Sequence, residues 1–258
     1  MVSIEFALAQ KVVERTMTII PFNVNVMDTR GIVIASGNPA RIGDLHHGAQ
    51  MALAKEATVE FDSAAVRNFP GAKEGVNLPL RVRGEICGVV GITGSPDAVR
   101  QFGELVRVTA EMILEQAQLI GELQREKRYR EEFVVQLVKG TGLSNASMEA
   151  WAARLGLDLR LERAAFVLTL IDESQTPDLA LMDLQRIQSE LVARWPDLLS
   201  AVIGPRELVL LDVFEEAGEQ ATRVSKARMR LESLQGVANS ILQTSTVLAM
   251  GIPLPGQE

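Results

Sequence analysis

Apolar residues recur through the first twenty positions at helical intervals, with Phe6, Ala7, Val12, Val13, Met17 and Ile20 leading up to Pro21, which cannot continue a helix. The period then changes. Phe22 to Met27 alternates apolar with polar, Asp28-Thr29-Arg30-Gly31 supplies turn residues, and Ile32 to Ser36 resumes an apolar run, so a β-hairpin is predicted. His46 to Ala57 is rich in Ala and Met and predicts a helix, and Val59 to Phe61 a short edge strand. Two β-branched runs, Val76 to Arg83 and Glu85 to Thr93, flank the turn-forming Gly84 and predict a second hairpin.

Hairpin, helix, hairpin is the order of PAS-like and Cache-like sensor modules, an antiparallel sheet with helices along one face. From Ser95-Pro96 a long helix is predicted, over about 96–138, with a capping residue and a proline at its start. Phe102, Val106, Thr109, Ile113, Gln116, Ile120 and Leu123 step along it by threes and fours. That seam either faces a partner helix or packs on its own domain as an ordinary amphipathic stripe. The charged run from Glu122 to Glu132 reads as a solvated link.

A boundary falls at Gly140-Thr141-Gly142, and the second domain, 143–258, follows. It holds a helix over Met148 to Leu155, a strand over Ala164 to Ile171, a helix over 179–194, a strand pair Leu199 to Gly204 and Leu208 to Val213, a helix over 217–243 and a strand over 246–250. That is a ferredoxin-like order. The expected fold class is α+β, with domains at 1–138 and 143–258.

Composition narrows the function classes. Of 258 residues 47% are apolar and 23% charged, a globular balance, and the formal net charge of −7 argues against a broad phosphate-neutralising surface. A single cysteine, Cys87, cannot form an internal disulfide, no secretory-type leader opens the chain, and no apolar run approaches the length of a membrane span. A cytoplasmic protein without membrane contact is expected.

The densest polar constellation is Arg41-Ile42-Gly43-Asp44-Leu45-His46-His47-Gly48, leading into the helix that starts near Gly48. A guanidinium fork and the free N–H groups of a helix start both favour an acid ligand. The competing reading pairs Arg41 with Asp44 at the surface and lets His46 simply pack. Asn77, in Gly75-Val-Asn-Leu-Pro-Leu80, either bonds a ligand's hydroxyl or carboxylate or serves a turn. Adjacent histidines without further ligands make a poor metal pair, and Cys87 in an apolar strand reads as inert. No phosphate loop or nucleophile elbow occurs, so neither a catalytic residue nor a metal or other cofactor is expected.

Val13-Val-Glu-Arg-Thr-Met-Thr-Ile-Ile20, Asn23 to Ile34, Arg41-Ile-Gly-Asp-Leu-His-His-Gly-Ala49, Gly75 to Arg81, Gly84 to Gly94 and Glu104 to Gln116 together resemble the diacid-recognition domain of carbohydrate diacid regulators. The likeness covers roughly residues 5–138 and continues more loosely through Trp151 to Asp158 into a degenerate cyclase-like domain. It implies a transcriptional activator that senses glucarate, galactarate or glycerate, with Arg41, Ile42, Gly43, His46, Gly48 and Ala49 in one ligand-binding motif and Asn77, Leu78 and Pro79 in another. A homodimer is expected through the long helix, and the resemblance implies DNA contact only through a C-terminal helix-turn-helix that this chain lacks, the cyclase-like domain being partial. Arg206-Glu207 stands where a cyclase carries its Gly-Gly-Asp/Glu-Glu-Phe signature, so no enzymatic activity is expected. The alternative is a truncated interaction module that modulates a full-length relative through helix pairing.

Overall fold

The computed structural model describes residues 4–69, 72–140, 144–172, 174–213, 220–242 and 246–251. Contacts divide the chain into two compact units, Met1–Leu123 and Gln124–Glu258. The boundary residues Thr141 and Gly142, residues 217–219 and 243 of the expected last helix, and the terminal 252–258 lie outside the described residues.

The first unit runs α1 (Phe6–Met17), β1 (Val24–Met27), β2 (Val33–Ser36), α2 (His47–Lys55), β3 (Val59–Phe61), α3 (Ser63–Val66), β4 (Gly75–Val82) and β5 (Glu85–Thr93), then enters α4 (Pro96–Lys139). Its five strands form an antiparallel sheet in the order β2-β1-β5-β4-β3. Strand residues alternate between two apolar layers, as the pleat requires. Val24, Val26, Val76, Leu78, Val90 and Ile92 pack against Val12 and Val13 of α1 and Val99, Val106 and Ala110 of α4. Met27, Val33, Val59 and Val89 face the other way, toward Ala49 and Ala52 of α2. The sheet therefore carries helices on both faces rather than one.

The 44-residue α4 would be about 66 Å long at 1.5 Å per residue. The seam drawn from Phe102 to Leu123 does not survive as one face. Val106 and Ile113 are buried in the first unit's own core, whereas Ile120 and Leu123 are exposed. The stripe that stays in solvent includes Leu105, Val108, Met112 and Leu119. A buried stripe for the sheet and an exposed one adjoin on this helix, which is why spacing alone joined residues from both.

The second unit contains α5 (Asn145–Arg154), β6 (Arg163–Leu170), α6 (Pro177–Arg194), β7 (Leu199–Gly204), β8 (Glu207–Val213), α7 (Gln220–Ile241) and β9 (Thr246–Gly251). Its antiparallel order β7-β8-β6-β9 is the ferredoxin-like arrangement. Strict alternation along β6 sends Ala164, Phe166, Leu168 and Leu170 into a core with α6 and α7. On the opposite face Val134, from the last turns of α4, packs with Leu199, Ala201, Val209 and Leu211. Phe133 is fully buried, its ring edge-on to Trp151 at 5.6 Å. Phe166 is fully buried at the centre of the strand core, so Phe166→Ala is expected to destabilise the second unit by about 3–5 kcal/mol in urea denaturation. A loss below about 1 kcal/mol would contradict this packing.

Candidate ligand site

Asn25 of β1, Gly91 of β5 and Asn77 of β4 stand opposite one another across the three central strands, and Ser36 of β2 extends the row. Residues in register share a face, so this polar row forms part of the sheet surface that α2 covers. Asn25, Ser36 and Asn77 are each at most 2% exposed. Three of the four are satisfied or have no side chain. Asn25 accepts from Ser36 Oγ at 2.6 Å and from Asn23 at 3.0 Å, and its own amide lies 3.4 Å from the Thr93 hydroxyl.

Asn77 is different, because its buried Oδ1 has no hydrogen-bond partner. An unpaired buried polar atom costs about 1–3 kcal/mol. The surroundings are shaped for it nonetheless. A Cβ on Gly48 would fall 2.4 Å from Asn77 Nδ2, and one on Gly91 would fall 2.9 Å from Oδ1. The first turn of α2 and the middle of β5 both lack side chains where the amide sits, so the fold holds Asn77 in place while leaving its carbonyl unpaired.

The α2 start completes the arrangement. His46 is the N-cap, its Nδ1 accepting the Ala49 N–H at 3.3 Å. That bond keeps the lone pair on Nδ1 and puts the proton of the neutral ring on Nε2. Burial lowers the His46 pKa to about 4, and the neighbouring charges of Arg41 and His47 add to the shift. His47 and Gly48 open the helix and have no intrahelical acceptor for their N–H groups.

Arg41 ends a 3-10 turn, Pro39–Arg41, whose N-cap Asn38 accepts from the Ala40 N–H. Its side chain is only 13% exposed, yet the nearest ion-pair contact is Asp44 at 3.9 Å. The pairing of Arg41 with the exposed Asp44 is thus present but long, and the guanidinium itself is largely withdrawn from water. Arg41, His46 and Lys73 line two adjoining cavities: one of about 240 Å³ that also touches Asp44, His47, Gly48 and Phe61, and a narrow one reaching Asn25, Asn77, Gly91 and Thr93. The larger volume is below the range of drug-sized pockets and suits a smaller, polar ligand.

The structure thus brings together Arg41, His46, Gly48 and Asn77 and separates them from other residues of the two motifs. Leu78 points to the opposite face of the sheet and packs in the core beneath α4, because neighbouring strand residues alternate. Ile42 is exposed and lines neither cavity. Gly43 has a φ of +94° and donates its N–H to Val33, so it shapes the loop. Ala49 is buried among the α2 contacts and enters the site only through its capped N–H. Pro79 is buried on β4, two residues from Asn77 and on its face, without touching either cavity. His47 lines the larger cavity, its ring 5.5 Å from that of Phe69. Lys73 was not anticipated, since a lysine in a loop carries no pattern, but Asn25 and Gly91 had a signal in being polar or side-chain-free inside apolar strands.

Elsewhere, Cys87 is buried with Sγ 3.5 Å from the Leu80 carbonyl, and burial pushes its thiol up to about 11. In the second unit Arg206, in the turn between β7 and β8, donates to the backbone carbonyls of Asp172 and Gln175 beyond the end of β6.

A cavity lined by Arg41, His46 and Lys73 thus lies between a helix start and a polar sheet surface, and a ferredoxin-like unit follows it in the chain. The family described as "Putative sugar diacid recognition" matches residues 4–137, and the chain belongs to it. A GGDEF-like domain matches residues 139–256. The carbohydrate diacid regulator of Escherichia coli (strain K12) is 43% identical over 204 residues, which cover 79% of this chain and 53% of that protein. An uncharacterized protein of Haemophilus influenzae is 42% identical over 64% of this chain and 45% of its own, and the uncharacterized protein YsfB of Bacillus subtilis is 28% identical over 60% and 42%. The chain spans about half the length of the curated relatives it matches.

His46 couples the site to pH. Between about 6.5, where an unperturbed histidine titrates, and about 4, the folded chain binds fewer protons than the unfolded one. The stability associated with neutral His46 is therefore complete above about pH 6.5 and is lost progressively as the pH falls toward 4. His46→Asn, which supplies a capping oxygen in place of Nδ1 and cannot titrate, is expected to flatten the fall in melting temperature over that interval. An unchanged pH profile in the variant would exclude His46 as the titrating group.

Proposed function

We propose that this chain is the ligand-sensing portion of a sugar-diacid-responsive transcriptional regulator of the cytoplasm, with glucarate, galactarate or glycerate as its ligand. The observation that carries this reading is the unpaired Asn77 carbonyl, buried beside the start of α2 and next to a cavity lined by Arg41 and Lys73. A sugar acid supplies the missing complements. One carboxylate pairs with Arg41, assisted by Lys73 and the N–H groups of His47 and Gly48. A hydroxyl donates to Asn77 Oδ1, and the Nε2–H of neutral His46 donates to a second oxygen. Ile42, Gly43, Ala49, Leu78 and Pro79 support the loop and strand that carry these groups.

The chain acts without catalysis in this reading. Arg206 is committed to backbone carbonyls in the turn where a cyclase carries its signature. DNA binding is assigned to a region outside this chain, consistent with its acidic balance. None of the described helices is long and apolar enough to cross a membrane.

The exposed stripe on α4 supports a homodimer. Leu105, Met112 and Leu119 recur every seven residues and are 48%, 65% and 54% exposed, the spacing of a helix-pairing seam. Met112→Glu is expected to shift the sedimentation coefficient to that of a monomer without lowering the melting temperature. A wild-type chain that is monomeric at micromolar concentration would refute the pairing.

Isothermal titration against the three acids, with an uncharged sugar as control, tests the ligand class. One acid is expected to bind saturably, and Arg41→Ala to weaken it by about 10- to 100-fold, the worth of a hydrogen bond to a charged group. Binding of the uncharged sugar alone, or undiminished acid binding by the variant, would overturn the assignment.

A further inference from the structure

A second cavity, within the second unit, is larger than the sensor site and is assigned to no ligand by the reading above. It occupies about 870 Å³ at the end of the sheet where β6 begins and β8 finishes. Arg130, Arg163, Arg194, Lys226 and Arg230 line it, against three carboxylates, Asp158, Asp197 and Asp212. Two of those carboxylates are already engaged. Arg230 forks onto Asp212, with its second contact at 3.1 Å, and Arg160 holds Asp158 through contacts of 3.0 and 2.9 Å.

Arg130 pairs with Glu126 at 3.5 Å, and the other three cations are poorly matched. Among the described residues neither Arg194 nor Lys226 has a carboxylate within ion-pair distance. Arg163 donates from one terminal nitrogen to the carbonyls of Asp158 and Leu161, but its Nε is buried with no partner. Trp195 sits among these groups, with the Arg230 guanidinium carbon 4.1 Å and that of Arg194 5.3 Å from its ring centroid. Such stacking fixes a guanidinium plane while leaving its edge N–H groups available to an acceptor. Leu157 and Leu161 add an apolar wall.

An excess of forked cations, an unsatisfied buried guanidinium N–H and an apolar wall in one concave site call for a multiply charged oxyanion with several acceptor oxygens. We infer that this cleft binds a small phosphate-bearing molecule, held by Arg163, Arg194 and Lys226, with Arg230 and Trp195 as the rigid support. The site is independent of the sugar-acid cavity, which shares none of its residues.

Titration of the whole chain with pyrophosphate and with ATP, at low ionic strength and with chelator present, tests the inference. Saturable binding of either is expected. The double variant Arg194→Glu/Lys226→Glu should weaken it at least tenfold; both side chains are exposed, so the fold should tolerate the change, and an unaltered melting temperature would verify it. Tighter binding of ATP than of pyrophosphate would mean that the apolar wall receives a base, and equal affinity that the phosphates alone are read; both outcomes support the site. Absence of binding by both compounds, or equal affinity in the folded double variant, would overturn it, whatever the outcome of the sugar-acid titrations.

Discussion

The sensor unit depends on a buried amide that the protein leaves unsatisfied. Asn77 could have been an apolar residue, as Val76 and Leu78 beside it are, and the sheet would have lost a destabilising group. Instead two glycines, one on α2 and one on β5, give up their side chains where the amide sits. The cost of an unpaired carbonyl and the loss of packing at Gly48 and Gly91 act in the same direction, against stability. Both fit the proposed recognition of a ligand, because a buried acceptor beside a cavity favours a molecule that donates a hydrogen bond to it. The N-capped start of α2 and the largely buried Arg41 add positive charge at the same cavity.

Strand β4 also joins this amide to the long helix α4 on the other face of the sheet. Alternation sends Asn77 toward α2 and Val76 and Leu78 toward α4, where a Cβ at Gly103 would fall 3.4 Å from Leu78. Three residues farther along, the Arg81 N–H is accepted by Glu111 of α4 at 2.8 Å. Strand β4 is therefore tied to α4 through both packing and a charge-assisted hydrogen bond. That helix continues to Lys139 and contributes Phe133 and Val134 to the second unit's packing.

Much of this was legible in the residue pattern. Period-two alternation and the turn at Gly84 marked the hairpins, and β-α-β-β-α-β order marked the second unit, because these signals are local. The motif Arg41 to Gly48 and the position of Asn77 were legible as candidate chemistry. What the pattern did not contain was which side each residue faces across three strands. Leu78 is adjacent to Asn77 in the chain and opposite to it in space, while Gly91, remote in the chain, is directly beside it and Asn25 follows one strand further along the same row. Lys73 joins the site from a loop, where no periodicity exists to mark it. On α4 the error was of another kind: two apolar stripes lie on one helix, and spacing by threes and fours connects residues from both.

In the proposed function the Asn77 carbonyl and the first turn of α2 form one recognition surface for a sugar acid. The most direct measurement is a set of ¹H–¹⁵N spectra of the labelled chain during titration with galactarate, glucarate and glycerate. One acid is expected to produce saturable shifts concentrated on the Asn77 side-chain amide and the backbone amides of His47 and Gly48. Saturable shifts confined to other residues, or none with any of the three acids in a folded chain, would contradict it.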